Sequence, residues 1–171
     1  MKLIKPTLEY QKSFCEMVAD FKKHNEIEYP KYFTENESYE QYVSNLIKME
    51  DEICNEYPTE SFWLINDNDE IVGTIRYRKS LNEYTVIDGG HIGFDIRPSY
   101  RRNGYGNIIL NKMLEILYER NVDKVLVTCE LDNVGSKRII EKNSGFFENE
   151  QISKRTNKMV RRYWIKTNKS N

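Results

Sequence analysis

The stretch best equipped for chemistry is His91-Ile92-Gly93-Phe94-Asp95-Ile96-Arg97-Pro98-Ser99-Tyr100-Arg101-Arg102-Asn103-Gly104-Tyr105-Gly106. Alternating apolar residues give way to a polar loop with two glycines, and an amphipathic pattern follows. That reads as strand, turn and helix. The first N–H groups of a helix have no intrahelical acceptor, and the helix dipole adds partial positive charge there. Gly104 and Gly106 let such a backbone approach a ligand without a Cβ in the way. The turn is therefore suited to phosphate or pyrophosphate, with Arg101 and Arg102 adding charge. An NTPase phosphate loop requires Gly-Lys-Ser/Thr, which Gly106-Asn107-Ile108 does not supply. A dinucleotide fingerprint requires a third glycine where Ile109 stands.

Other reactive residues carry less. Cys15, Cys54 and Cys129 are odd in number and far apart, and His24 and His91 are the two imidazoles. Neither a disulfide framework nor a metal centre is expected, and a reducing cytoplasm fits this usage. Cys129 reads as a small core residue. The basic run Lys154, Arg155, Lys158, Arg161, Arg162 alternates with other residues in strand-like sequence and reads as a solvated face. Lys plus Arg is 26 and Asp plus Glu is 27, a net charge of −1. That balance removes the electrostatic ground for expecting nucleic acid or an anionic membrane as partner. No apolar run approaches a membrane span, and the start shows no secretory pattern. Charged residues at 31% and a mean hydropathy of −0.75 describe a polar chain, while 12% aromatic residues argue for a packed one.

The elements that must position the loop follow from periodicity. Residues 2–6 form a short strand. Thr7 caps a helix bearing Tyr10, Phe14, Met17, Val18 and Phe21, and a second helix runs from about Ser38 to Asn55 with Tyr42, Val43, Leu46, Ile47 and Ile53 on its stripe. Ser61–Ile65 and Ile71–Arg78 form a hairpin across Asn66-Asp67-Asn68-Asp69. The strand from His91 leads into the loop, and the helix after Gly104 carries Ile109, Leu110, Met113, Leu114 and Leu117. Val125-Leu126-Val127 is a strand buried on both faces. Asn133 caps a short helix that ends before Gly145, and Phe146 opens a final strand pair reaching Ile165. The expected fold is α/β: one domain over residues 1–171, a mixed sheet flanked by helices.

The spacing Arg101-x-x-Gly104-x-Gly106 resembles the acetyl-CoA loop of the GNAT N-acetyltransferase superfamily. So does its setting: Ile96-Arg97-Pro98 before it, then Asn133-Val134-Gly135-Ser136, then Ile140-Glu141-Lys142-Asn143-Ser144-Gly145-Phe146. The resemblance covers about residues 61–165. It implies a cleft where the strand of residues 92–97 splays from that of residues 124–131. Backbone near Ile96 would hold the pantetheine as an added strand would. The amides of Arg102, Asn103, Gly104, Tyr105, Gly106 and Asn107 would hold the pyrophosphate, with Arg101 beside them. Asn133 and Ser136 would line the arm near the thioester.

The implied reaction is direct acetyl transfer from acetyl-CoA to a primary amine in a ternary complex, without metal. The amine belongs to a small molecule or a peptide, and a homodimer is consistent with the family. Roughly one aliphatic amine in a thousand is unprotonated at pH 7, so a base assists. His91 is the first candidate, standing where a related branch carries Glu; its alternative is a strand-end histidine bonded to backbone. Glu130 is the second, with a solvated carboxylate as alternative, and Asp95 points either to the amine or to water. Ile140 occupies the place of a tyrosine thought to protonate the leaving thiolate. Its absence keeps open a non-catalytic acyl-CoA-binding module, and another acyl donor such as succinyl-CoA is a third reading. Tyr29, Tyr32, Phe33, Tyr39 and Tyr42 either roof the amine site or pack the second helix.

Overall fold

A computed structural model describes residues 1–26, 37–53 and 55–167. Tyr29, Tyr32, Phe33 and Cys54 lie outside these. The strands are β1 (Lys2–Ile4), β2 (Thr59–Ile65), β3 (Ile71–Arg78), β4 (Ile92–Ile96), β5 (Lys124–Glu130), β6 (Phe146–Ile152) and β7 (Met159–Lys166). The helices are α1 (Gln11–Lys23), α2 (Tyr39–Lys48), α3 (Tyr105–Glu119) and α4 (Val134–Lys142). The strands form one sheet in the order β1-β2-β3-β4-β5-β7-β6. Every neighbouring pair is antiparallel except β4–β5. A parallel pair needs a crossover, and α3 supplies it.

The sheet separates two hydrophobic cores. On one face Ile109, Leu110, Met113, Leu114 and Leu117 of α3 meet Ile92, Val125, Val127 and Tyr163. On the other, Phe14, Met17 and Phe21 of α1 and Tyr39, Tyr42 and Leu46 of α2 close over Trp63. Val125, Leu126 and Val127 are all buried, as expected for a central strand covered on both sides.

Two N-terminal expectations are corrected. Thr7 does not cap with its hydroxyl; a 3-10 turn over Leu8–Tyr10 intervenes and α1 starts at Gln11. Ser38 does cap α2, accepting from the Gln41 N–H, but α2 stops at Lys48. The Met49 carbonyl bonds the Thr59 N–H instead, so the chain turns into β2. Ile47 and Ile53 are exposed, at 54% and 96%. The periodic stripe overran the helix because a short buried face suffices to seat it.

Candidate acetyl-CoA and acceptor site

The site begins where β4 and β5 part. Their register holds the single pair Ile92↔Val127. Just before it the strands are pinned. The His91 N–H donates to the Leu126 carbonyl at 2.7 Å, the Leu126 N–H donates to His91 Nδ1 at 2.9 Å, and the Gly89 N–H donates to Thr128 Oγ1 at 2.8 Å. Gly90, at φ +59°, lies so close that a Cβ there would stand 2.4 Å from the Leu126 oxygen. Beyond this vertex β4 stays with β3 through Gly73↔Ile96, and β5 stays with β7 through Glu130↔Val160. In an antiparallel ladder alternate residues face each neighbour. The Arg97 N–H bonds the Val72 oxygen, so residues 93, 95 and 97 serve β3 while Phe94 and Ile96 turn their backbone toward β5. There β5 has no residue in register with them.

The loop to α3 stands at the open end of this cleft. Gly104 is the helix N-cap, at φ +83° and with no side chain to cap, and a Cβ there would meet nothing within 4 Å. Serine or aspartate at that place would occupy the first amides; glycine leaves them. The N–H groups of Arg102, Asn103, Gly104, Tyr105 and Gly106 donate to no acceptor among the described residues. Five amides with no acceptor among the described residues at a helix start suit an anion. The Asn107 amide is different. It donates to the Gly104 carbonyl at 3.0 Å, while Asn107 Oδ1 accepts from Asn143 Nδ2 at 2.9 Å, so this residue fastens α3 to the end of α4. Gly106 also has another reason to be glycine: a Cβ would stand 2.4 Å from Ile139 Cδ1, so its absence seats α4.

Arg101 turns away from the cradle. Its Nε donates to the Ile96 carbonyl at 3.0 Å, and Nη1 and Nη2 donate to the two Glu26 oxygens at 2.5 and 2.7 Å. Glu26 is held below the usual carboxylate range chiefly by that bond. Arg102, at φ +63°, is exposed, and Asn103 Nδ2 reaches back to the Arg101 carbonyl at 3.2 Å. Tyr105 packs edge-on to Tyr100. Asn133 Oδ1 accepts from the Ser136 N–H at 2.9 Å, the expected cap of α4.

The three acidic or basic candidates separate clearly. His91 Nδ1 is spent on the Leu126 amide, so the neutral ring carries its hydrogen on Nε2 and holds a strand rather than a spare lone pair. Burial, and then the charge of Arg78, lower its pKa. Glu130 accepts from Lys158 Nζ at 2.8 Å at the exposed rim. Asp95 shares the α1–α2 face with Thr74 and Arg76 and accepts from Arg76 Nη2 at 2.8 Å. Burial pushes its carboxyl up to about 7, against the charge of Arg101, with Glu26 adding to the rise. Sequence left Asp95 facing either the amine or water; the signal for it was a lone acid on an otherwise apolar alternation, and the structure brings Arg76 against it.

The remaining residues are structural. Tyr39 and Tyr42 are core residues, the Tyr39 hydroxyl donating to the Thr7 carbonyl. Ile140 and Tyr163 are both buried in the core beneath α3. Cys129 is buried and its thiol is pushed up to about 11 by desolvation. The basic run is not simply solvated. Arg155 pairs with Asp88, Lys158 with Glu130 and Arg161 with Glu150, while Arg162 is buried and pairs with Glu148 at 2.5 Å. No helix of the described residues is long and apolar enough to cross a membrane.

Comparison with known proteins agrees with this geometry. The match to N-acetyltransferase YnaD of Bacillus subtilis, itself uncharacterized, is 29% identical over 90 residues, half of this chain and 51% of that protein. A second Bacillus subtilis protein, the uncharacterized N-acetyltransferase YjdG, is 35% identical over 83 residues, 47% of this chain and 48% of its own. The matched part thus spans about half the length of these curated relatives. Among solved structures, RimL, a ribosomal L7/L12 alpha-N-protein acetyltransferase in complex with coenzyme A, superposes with a TM-score of 0.72 at 16% identity, covering 95% of this chain and 91% of that one. A chimera of spermidine N-acetyltransferase SpeG from Vibrio cholerae gives 0.65 at 12% identity, with 97% and 95% covered. These two share the fold. The family model for the acetyltransferase (GNAT) family matches residues 19–146. A diverging parallel strand pair, an uncapped glycine-led helix and that match have one reading: the chain belongs to the GNAT acetyltransferase family.

Proposed function

We propose that the protein is an acetyl-CoA-dependent N-acetyltransferase acting on a primary amine by direct attack in a ternary complex. The observation that carries this is the cleft at Ile92↔Val127 opening onto five amides with no protein acceptor among the described residues. The residues fit the cofactor. Gly104 leaves open space where a side chain would stand, and the amides of residues 102–106 suit a diphosphate. Phe94, and the N–H of Ile96, whose carbonyl is held by Arg101 Nε, would present backbone to an extended arm. Asn133 and Ser136, at the start of α4, would line the arm near the thioester. Acetyl-CoA supplies the activated acetyl group.

This chain supplies the base and the positioning. Asp95 holds the proton taken from the incoming amine; a carboxyl near 7 is matched to that task. Arg76 holds the carboxylate in place at 2.8 Å. His91 supports the reaction through the vertex, by fixing Leu126, and Glu130 stays with Lys158. The Phe94 amide is aimed into the cleft, where a polarised carbonyl oxygen needs a donor.

Isothermal titration with acetyl-CoA tests the reading. Binding at tens of micromolar or tighter is expected, with thiol release when an amine is added. No heat at that concentration removes the proposal. A second reading, a non-catalytic acyl-CoA-binding module, is favoured by Ile140, whose full burial leaves no phenol at that place. Coenzyme binding without thiol release over an amine panel selects it.

A further inference from the structure

We propose that Glu26 is a positioning residue for the coenzyme: acting through Arg101, it holds the loop before α3 in the shape that receives the diphosphate. The inference rests on the acetyltransferase reading and adds to it a residue from outside the loop. A cradle of free amides cannot hold itself together. The N–H groups of residues 102–106 donate to no acceptor among the described residues, so they do not restrain their own segment. Arg102, at φ +63°, sits in the left-handed region that side chains disfavour. Within the loop, Asn103 Nδ2 makes only long bonds, to the Arg101 carbonyl at 3.2 Å and the Tyr100 carbonyl at 3.4 Å.

An outside restraint comes from the end of α1. Asn25, at φ +60°, closes that helix: its N–H donates to the Lys22 carbonyl and the Glu26 N–H to the Phe21 carbonyl, both at 3.1 Å. This closure fixes the Glu26 backbone just past the helix. From there its two carboxylate oxygens accept from Arg101 Nη1 and Nη2 at 2.5 and 2.7 Å, while Arg101 Nε donates to the Ile96 carbonyl at 3.0 Å. A guanidinium is planar, so these three bonds set its orientation as well as its place. Arg101 immediately precedes the first cradle amide, and Ile96 ends the cleft edge of β4. One residue of the α1 closure thus braces two parts of the coenzyme surface. Asp20 adds a second hold, accepting from the Ser99 N–H at 2.9 Å and the Ser99 hydroxyl at 2.8 Å.

The Glu26–Arg101 pair is partly exposed, at 38% and 43%, and a pair so exposed adds little to global stability. Its charges are also closed on each other, which leaves Arg101 a poor source of attraction for the diphosphate. Its remaining use is to order the loop in advance, so that the coenzyme does not bear the cost of ordering it.

The test titrates acetyl-CoA calorimetrically into the full chain and into Glu26→Gln, Arg101→Gln and the double variant. Glu26→Gln keeps the size of the side chain and removes the paired acceptor. Each single change is expected to weaken binding about tenfold, and the double variant no more than the worse single one. In the coenzyme-free protein, backbone NMR order parameters of residues 102–106 should fall in Glu26→Gln while the urea midpoint stays near that of wild type. Unchanged or tighter binding by Glu26→Gln overturns the inference, because Arg101 would then be a charge that Glu26 withholds. Additive losses, unchanged order parameters or a loss that tracks a lowered urea midpoint overturn it too, leaving the acetyltransferase reading intact. Failure of the wild-type chain to bind acetyl-CoA removes that reading and this inference with it.

Discussion

The proposed coenzyme side and the proposed acceptor side of this sheet are built from different materials. On the first, the cradle is main chain: five amides, a glycine cap at φ +83° and strand edges turned into a cleft. On the second, the proposal rests on side chains: Asp95 in contact with Arg76, with Glu26 and Arg101 close enough to move its titration. Main-chain sites depend on where side chains are missing, so a few glycines betray them. Side-chain sites depend on which elements fold over one another, and no short spacing records that.

The sharpest break of this contrast is Gly104→Glu. A carboxylate beside an amide cradle should abolish measurable acetyl-CoA binding, a loss of at least a hundredfold by calorimetry, while the circular dichroism spectrum stays. Retained affinity would place the diphosphate elsewhere. On the opposite side, Asp95→Asn should lower kcat by roughly a hundredfold to a thousandfold with little change in coenzyme affinity. The wild-type kcat/KM should climb with pH through about 7 as Asp95 of the free protein loses its proton. A variant as active as wild type would remove Asp95 from the base role.

The vertex shared by both sides comes next. Gly90→Ala adds a Cβ within 2.4 Å of a main-chain oxygen at positive φ. It should cost about 2–3 kcal/mol in urea unfolding, and a loss under 0.5 kcal/mol would show that β4 and β5 can separate there freely. Asp95 also has a stability signature. An unfolded aspartate is ionised above about 4, but the folded one keeps its proton until about 7. The native state therefore loses stability as pH rises through that window, and Asp95→Asn escapes the loss. Its melting temperature relative to wild type should rise by a few degrees between pH 4.5 and pH 8; a flat difference would remove the raised carboxyl. The smallest effect belongs to Asn133→Ala, about 1 kcal/mol for the lost cap of α4, read by thermal melting.

Much of the coenzyme side was legible beforehand. The loop from Pro98 to Gly106, the buried triplet Val125-Leu126-Val127 and the Asn133 cap depend on local spacing, and all stand where spacing put them. What escaped depends on distant partners. Gly106 read as a ligand-facing glycine, but its tightest neighbour is Ile139. Arg101 read as a charge for the anion, but Glu26, far away in sequence, captures it. His91 read as a base, but an amide on the neighbouring strand takes its lone pair. The end of α2 escaped because the stripe continues through Ile53 although nothing covers it.

The sheet keeps its two oily layers apart, one beneath α3 and one beneath α1 and α2. The two layers still meet at the loop that leads into α3, where Glu26 holds Arg101 and Asp20 accepts from the Ser99 amide, so rewriting the end of α1 should shift the proposed anion cradle as well.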